Sequence, residues 1–297
     1  MSVLSDSSAV AGAGADAPVR LVAFDLDGVL HRGGVVLPGA VAAVEDVRRR
    51  GLEVRFVTNN ATKHRDSIAE SIRVLGIPAD TGDVFSSASA TAAWLAERYP
   101  RGTRVLALGE EGLRRELTDL GFVVEYAGDP ALGEPGTPES APGAYAAVVV
   151  GLDRFFTYAG LARAHASVRA GALFVATNLD VTLPADGRIL PGAGAVVAAV
   201  AAAAGREPVS IGKPNLRLAD ALAASSGVPA GSTLFVGDRL DTDITFGVQA
   251  GMRTVLMLTG VSRREDLVGS EVQPDAVLES LAEFPALLDS VAGPRTS

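Results

Sequence analysis

The sequence predicts an α/β protein: a doubly wound parallel sheet with a second α/β domain inserted into it. Three observations carry this. From residue 21 short apolar runs alternate with stretches of helical spacing, and that βαβαβα rhythm marks a parallel sheet. A second α/β pattern begins near Arg101. The first style returns near Pro208, so the second set lies inside the first.

Residues 1–18 are rich in Ser, Ala and Gly and read as a flexible tail. Residues 21–24 (Leu-Val-Ala-Phe) form a buried strand, ended by the turn at Gly28. A helix over 39–50 shows Val41, Val44 and Val47 on one face and stops at Gly51. A strand over 52–57 ends in Thr58-Asn59-Asn60, and helix 65–75, strand 84–86 and a helix through Trp94 follow. The second set reads as strand 105–108, helix 111–120, strand 122–124, strand 146–150, helix 161–169 and strand 173–176. The Gly/Pro-rich stretch 128–143 is an internal loop, because strands resume on both sides of it. Residues 210–214 then open helix 216–225, followed by strand 233–236, helix 244–250 and strand 254–257. The expected units are a core of 19–100 and 207–292, an insert of 101–206, and a short tail of 293–297.

A formal charge of −9 over 297 residues argues against a nucleic-acid or anionic-membrane surface. Zero cysteines exclude disulfides and thiolate metal sites. The apolar stretch 193–204 is too short to cross a bilayer. A soluble, cytoplasmic protein is expected. Of 26 basic residues only Lys63 and Lys213 are lysines, so a lysine here points to a specific need for a compact charge.

Asp25 and Asp27 lie two residues apart at the end of the first strand, where alternation puts them on one side. Two close carboxylates need a cation, a proton or a task. Taken alone, Asp25-Leu26-Asp27-Gly28 reads equally as a plain Asp-Gly turn. Thr58-Asn59, Lys213 and the run Gly237-Asp238 through Asp243 complete a set of four segments at strand ends or helix starts. Each is ordinary by itself; together their chemistry is complementary.

In arrangement and order these segments resemble the four signatures of the haloacid dehalogenase superfamily of phosphatases, and the likeness extends over most of the chain. The insert resembles the large cap of the p-nitrophenyl-phosphatase-like branch. The resemblance implies a Rossmann-like core and a phosphomonoesterase dependent on Mg²⁺. In that reading Asp25 attacks phosphorus to give an aspartyl phosphate. Asp25 and Asp238 bind the metal by side chain and Asp27 by its carbonyl. The Asp27 side chain protonates the leaving alkoxide and then activates water. The Thr58 hydroxyl, backbone amides near Asn59 and the Lys213 ammonium hold the phosphate. Asp243 orients Lys213 or a water on the metal. Dehalogenase and ATPase relatives lack an acid at the position of Asp27, so its presence favours phosphatase or phosphomutase, and a cap suits one small substrate at a time.

Residues 176–184 resemble the substrate-facing loop of that cap, with Asn178, Asp180 and Leu183 as specificity candidates; local capping by Asn178 and Asp180 is the alternative. Leu183 stands where the pyridoxal phosphate phosphatases have histidine, which favours glycerol 3-phosphate, then phosphoglycolate. Pyridoxal phosphate, sugar phosphates and nucleoside monophosphates are alternatives, and a catalytically silent phosphate sensor is the non-enzyme one. His31, His64 and His165 are expected in exposed polar roles, since none has metal-ligand spacing. Arg48, Arg49 and Arg50 read as a solvated helix end. The resemblance also implies a homodimer through the cap. One internal echo stands out: Val57-Thr58-Asn59 against Ala176-Thr177-Asn178.

Overall fold

The computed structural model describes residues 17–132, 144–185 and 188–292. Most of the expected tail 1–18, all of 293–297 and the greater part of loop 128–143 lie outside the described residues.

The chain forms β1 (Leu21–Phe24), a small hairpin of β2 (His31–Arg32) and β3 (Val35–Val36), α1 (Ala40–Arg49), β4 (Glu53–Thr58), α2 (Arg65–Val74), β5 (Val84–Ser86) and α3 (Ser87–Ala96). It continues with β6 (Arg104–Leu108), α4 (Glu111–Asp119), β7 (Val123–Tyr126), β8 (Ala147–Val150), α5 (Tyr158–Arg169) and β9 (Leu173–Ala176). After these come the hairpin β10 (Thr182–Ala185) and β11 (Arg188–Pro191), α6 (Ala193–Ala204) and β12 (Val209–Ser210). The last part holds α7 (Leu216–Ser226), β13 (Thr233–Gly237), α8 (Thr245–Gln249), β14 (Arg253–Met257), β15 (Ala276–Leu278) and α9 (Phe284–Ala292).

The first sheet has six parallel strands in the order β15-β14-β13-β1-β4-β5. Its strands are apolar because helices cover both faces. Alternation along β1 sends Val22 and Phe24 to one side, where Val44, Ile72 and Phe284 pack, and Leu21 and Ala23 to the other, with Leu95, Leu222 and Phe246. Phe24 meets Phe284 at 5.5 Å between ring centroids, and Phe235 meets Phe246 edge-on at 5.1 Å. Register is what builds the site. Phe24 lies opposite both Phe56 and Val236, so the segments that follow β1, β4 and β13 emerge side by side.

The second sheet is parallel, in the order β12-β9-β8-β6-β7. It continues through Ser210, because β12 pairs with β9, whereas the sequence put the return to the core at residue 207. A two-residue strand is too short to show a period. The same brevity hides β2, β3 and β15. The hairpin β10–β11 was missed for another reason: its pairing of Leu183 with Leu190 is antiparallel and local within a parallel pattern.

The arginine cluster at the end of α1 is solvated at Arg48 and Arg49, as expected, but not at Arg50. The Arg50 side chain is 6% exposed and pairs with Asp46 at 2.9 Å and Asp289 at 2.6 Å, tying α1 to α9. Arg48 reaches Asp83 at 2.6 Å and Arg49 reaches Asp46 at 3.1 Å. Asp46 is buried, and a buried carboxylate takes up guanidinium partners. Among the described residues no helix is long and apolar enough to cross a membrane.

Candidate active site

Asp25 extends β1 by one residue, its N–H donating to the carbonyl of Val236 at 2.8 Å. Its carboxylate is buried beside the Lys213 ammonium, with Nζ 2.5 Å from Oδ1. The same Nζ lies 2.7 Å from Asp243 Oδ1 and 3.3 Å from the carbonyl of Val57. Lys213 therefore ties together the segments of Asp25 and Asp243, beside the strand that ends in Thr58.

Asp238, at the head of the same segment as Asp243, is held just as tightly. Asp238 follows β13 and accepts the Val261 N–H on Oδ2 at 2.7 Å. Gly28 and Gly260 make room for it: a Cβ at Gly28 would stand 2.5 Å from Asp238 Oδ2, and one at Gly260 only 1.9 Å away. Gly28 also has φ +87°, which a side chain would resist. Residues Leu240–Ile244 form a single π-helical turn. This folds Asp243 back under Gly237, where Oδ2 accepts the N–H groups of Asp238 and Arg239, both at 3.1 Å.

The electrostatics follow from this crowding. Burial pushes Asp25 up to about 7 against the pull of Lys213, and Asp243 adds to the rise. Burial, then Asp243 and Asp25, push Asp238 up to about 8. Burial works against the charge on Lys213, but Asp243 and Asp25 overcome it and hold the ammonium above its ordinary range. Oxygens of Asp25, Asp238 and Asp243 lie within 4.8 Å of one another. Three carboxylates against one ammonium leave surplus negative charge, and an all-oxygen donor set suits a hard cation such as Mg²⁺. Both Asp243 oxygens are engaged, by Lys213 and by two N–H groups, so Asp25 and Asp238 are the side chains with capacity to spare.

Asp27 departs from the expected pairing. Its side chain is 68% exposed, against 11% for Asp25, and its Oδ1 lies 3.3 Å from His31 Nδ1. The strand ends at Phe24, so its alternation does not extend as far as Asp27. Both carboxylates still line one cavity of about 270 Å³, open to one side, between the first sheet's strand ends and the second sheet's loops.

Asn59 lines the cavity as well, and its side chain is spent on the protein itself. Oδ1 accepts the Lys213 N–H at 2.9 Å, while Nδ2 donates to the Lys213 carbonyl at 3.1 Å and to Asp180 Oδ2 at 3.0 Å. Thr58 Oγ1 accepts the Asn60 N–H at 3.1 Å and shapes the same turn. Of the cap candidates, Asn178 donates to the carbonyl of Asn59 at 2.8 Å and caps the Asp180 N–H at 3.1 Å. Burial raises Asp180 despite its Asn59 bond. Leu183 lines the cavity.

His64 is not exposed. It is 3% exposed, caps α2 by accepting the Asp66 N–H at 3.2 Å, and turns Nε2 to Asp119 of α4 at 3.0 Å. With Nδ1 accepting, Nε2 carries the proton. The ring bridges the two sheets' elements, a contact invisible in local sequence. The Nδ1 atoms of His31 and His165 are likewise buried.

Sequence reading missed three cavity cations. Arg154 forks onto Glu110 at 2.7 and 2.6 Å, and Arg239 onto Asp241 at 3.1 and 2.8 Å. Nothing distinguishes them among so many arginines. Lys63 carried a signal, as one of only two lysines; both line this cavity, and Lys63 has no carboxylate partner among the described residues.

Comparison with known proteins agrees with this geometry. Residues 22–123 match the haloacid dehalogenase-like hydrolase family, and residues 210–284 match a second model described as HAD-hydrolase-like. Human glycerol-3-phosphate phosphatase is 38% identical over 294 residues, 91% of this chain and 92% of that protein. Phosphoglycolate phosphatase 1A of Arabidopsis thaliana, a chloroplastic protein, is 36% identical over 278 residues, 90% of this chain and 76% of that one. A glycerol phosphate phosphatase from Mycobacterium tuberculosis, solved in complex with magnesium, is 34% identical and superposes with a TM-score of 0.78 over 90% of this chain and 76% of its own. Fold, signature order and relatives agree: the chain belongs to the haloacid dehalogenase-like hydrolases and is a phosphatase of that family.

Proposed function

We propose that the protein is a Mg²⁺-dependent phosphomonoesterase acting through an aspartyl phosphate on a small phosphorylated metabolite, glycerol 3-phosphate or phosphoglycolate. The observation that carries this is the buried Asp25, held by Lys213 beside Asp238 at the floor of the cavity. Asp25 and Asp238 would hold the cation by side chain and Asp27 by its carbonyl. When bound, Mg²⁺ neutralises the charge that otherwise sets phosphate against carboxylate.

A carboxylate oxygen of Asp25 attacks phosphorus and the ester P–O bond breaks. The departing alkoxide takes a proton from Asp27, whose exposed position at the open side of the cavity suits exchange with substrate and water. Asp27 then removes a proton from water, which attacks phosphorus and releases Asp25 and inorganic phosphate. The Lys213 ammonium, locked between Asp25 and Asp243, and the Thr58 turn stabilise the charge on the transferring oxygens.

The cavity, near 270 Å³, lies below the range of roughly 300–1,000 Å³ usual for drug-sized ligands, which favours a two- or three-carbon ester. Leu183 in its wall agrees with such a substrate. A homodimer through the cap is part of this reading, since Phe155, Tyr158, Val181 and Ile189 expose apolar side chains there. The absence of cysteine and the acidic balance suit a cytoplasmic enzyme. The test is phosphate release from a panel of monoesters ranked by kcat/KM, with and without Mg²⁺. Turnover indifferent to Mg²⁺, or surviving Asp25→Asn, would sink the reading.

A further inference from the structure

Asn59 is the meeting point of three segments distant in sequence. Its side chain brackets the Lys213 peptide from both ends, through the N–H and the carbonyl. The same amide nitrogen donates to Asp180, which belongs to the loop leaving β9 of the second sheet. Space is so tight that a Cβ at Gly212 would stand 2.6 Å from Asn59 Oδ1 and 2.5 Å from the carbonyl of Thr177. Asp180 is fixed from its own side too: its carbonyl accepts the Gly194 N–H at 2.9 Å, and its N–H is capped by Asn178.

We infer, on the phosphatase reading above, that Asp180 is a positioning residue: through Asn59 it makes the seating of the second sheet's loop set the placement of Lys213. Nδ2 of Asn59 has two hydrogens, one for the Lys213 carbonyl and one for Asp180. The paired bonds to Lys213 already fix which way the amide faces, since a flip would set donor against donor, and the third bond, to Asp180, fixes the amide's plane and with it the Lys213 backbone. Without Asp180 the amide is held by Lys213 alone and the ammonium loses its fixed aim between Asp25 and Asp243. An aim error of the order of 1 Å at such a group is worth about 100-fold in rate. The carboxylate of Asp180 therefore acts on every phosphate ester alike and does not read the leaving group.

The experiment is a double-variant cycle of Asp180→Ala and Asn59→Ala, with Asp180→Asn as the conservative change that keeps an acceptor for Nδ2. Two readouts are taken: kcat/KM for p-nitrophenyl phosphate and glycerol 3-phosphate, and the affinity for orthovanadate, which needs no turnover. The expected result is a loss of about 10-fold for Asp180→Ala on both substrates and in orthovanadate affinity, and of about 10–100-fold for Asn59→Ala, with the double variant no worse than Asn59→Ala. Asp180→Asn stays within about threefold of the parent. Losses that multiply in the double variant, or a change in the ratio of the two substrates, would overturn the inference. Orthovanadate affinity that follows the cycle in a protein without turnover would keep the positioning role and discard the phosphatase reading. Should Asn59→Ala not fold, Asp180→Ala against Asp180→Asn decides alone: equal loss in both, or none in either, overturns the role.

Discussion

The side-chain amide of Asn178 meets the backbone carbonyl of Asn59 at 2.8 Å, so the Thr-Asn ends of β9 and β4 lie against each other. That carbonyl has a second donor, Ser87 Oγ at 2.7 Å. Asn178→Ala is expected to cost about 1–2 kcal/mol, because the Asn59 carbonyl keeps one partner while the cap on the Asp180 N–H is lost. Ser87→Ala alone should cost about 1 kcal/mol. Together they leave a half-buried carbonyl without either donor, and the loss should exceed the sum of the single losses. Urea unfolding of the three variants measures this, and simple additivity would contradict it.

Metal and pH are linked at this site. Burial raises Asp25 from 3.8 to about 7 and Asp238 from 3.8 to about 8. For raised carboxyls the stability contribution is full below the unfolded value and lost as pH rises through the folded one. The metal-free protein should thus lose stability between about pH 4 and pH 8 from these two groups. A divalent cation takes the place of their protons, so the gain in Tm from added Mg²⁺ should be larger near pH 8.5 than near pH 5. A gain that is flat across that range would count against Asp25 and Asp238 as the ligands.

Gly260 supplies a sharper probe of the same site. A methyl group there would stand 1.9 Å from Asp238 Oδ2 and must displace the carboxylate. Gly260→Ala is expected to weaken Mg²⁺ binding by about 10–100-fold while the chain stays folded. Calorimetric titration with Mg²⁺ reads it directly, and unaltered affinity would remove Asp238 from the ligand set.

Leu183 tests the origin of specificity. It lines the cavity from the β10–β11 hairpin, paired with Leu190. Leu183→His should raise the kcat/KM ratio of pyridoxal phosphate over glycerol 3-phosphate by about 10-fold, the scale of one added polar contact. An unchanged ratio would clear Leu183 of that role.

The parallel core was legible because its strands are continuous apolar runs between periodic helices, and β1, β4 and β13 fall within a residue or so of where the pattern put them. The convergence of Asp25, Lys213 and Asp238 was legible through motif order. What local sequence lacked was any record of partners. His64 reads as an exposed polar residue until Asp119 closes over it, and Arg50 as solvated until Asp289 arrives from 239 residues away. Asn59 showed its type but not its employment, since the atoms it binds belong to Lys213 and Asp180. The Thr-Asn echo was visible as a repeat, but only folding makes the two copies partners.

Both lysines of the sequence line the one cavity, and this shapes how the protein meets amine chemistry. Lys213 is buried and keeps its proton, so acylating reagents find it a poor nucleophile. Lys63 is exposed at the same cavity. An activated ester meant as a surface dye or a resin anchor therefore has no remote lysine to modify, and its lysine product is a molecule altered at the mouth of its own active site. Lysine acylation, counted apart from that of the α-amino group, and loss of activity become a single measurement, and a substrate that protects against one protects against the other.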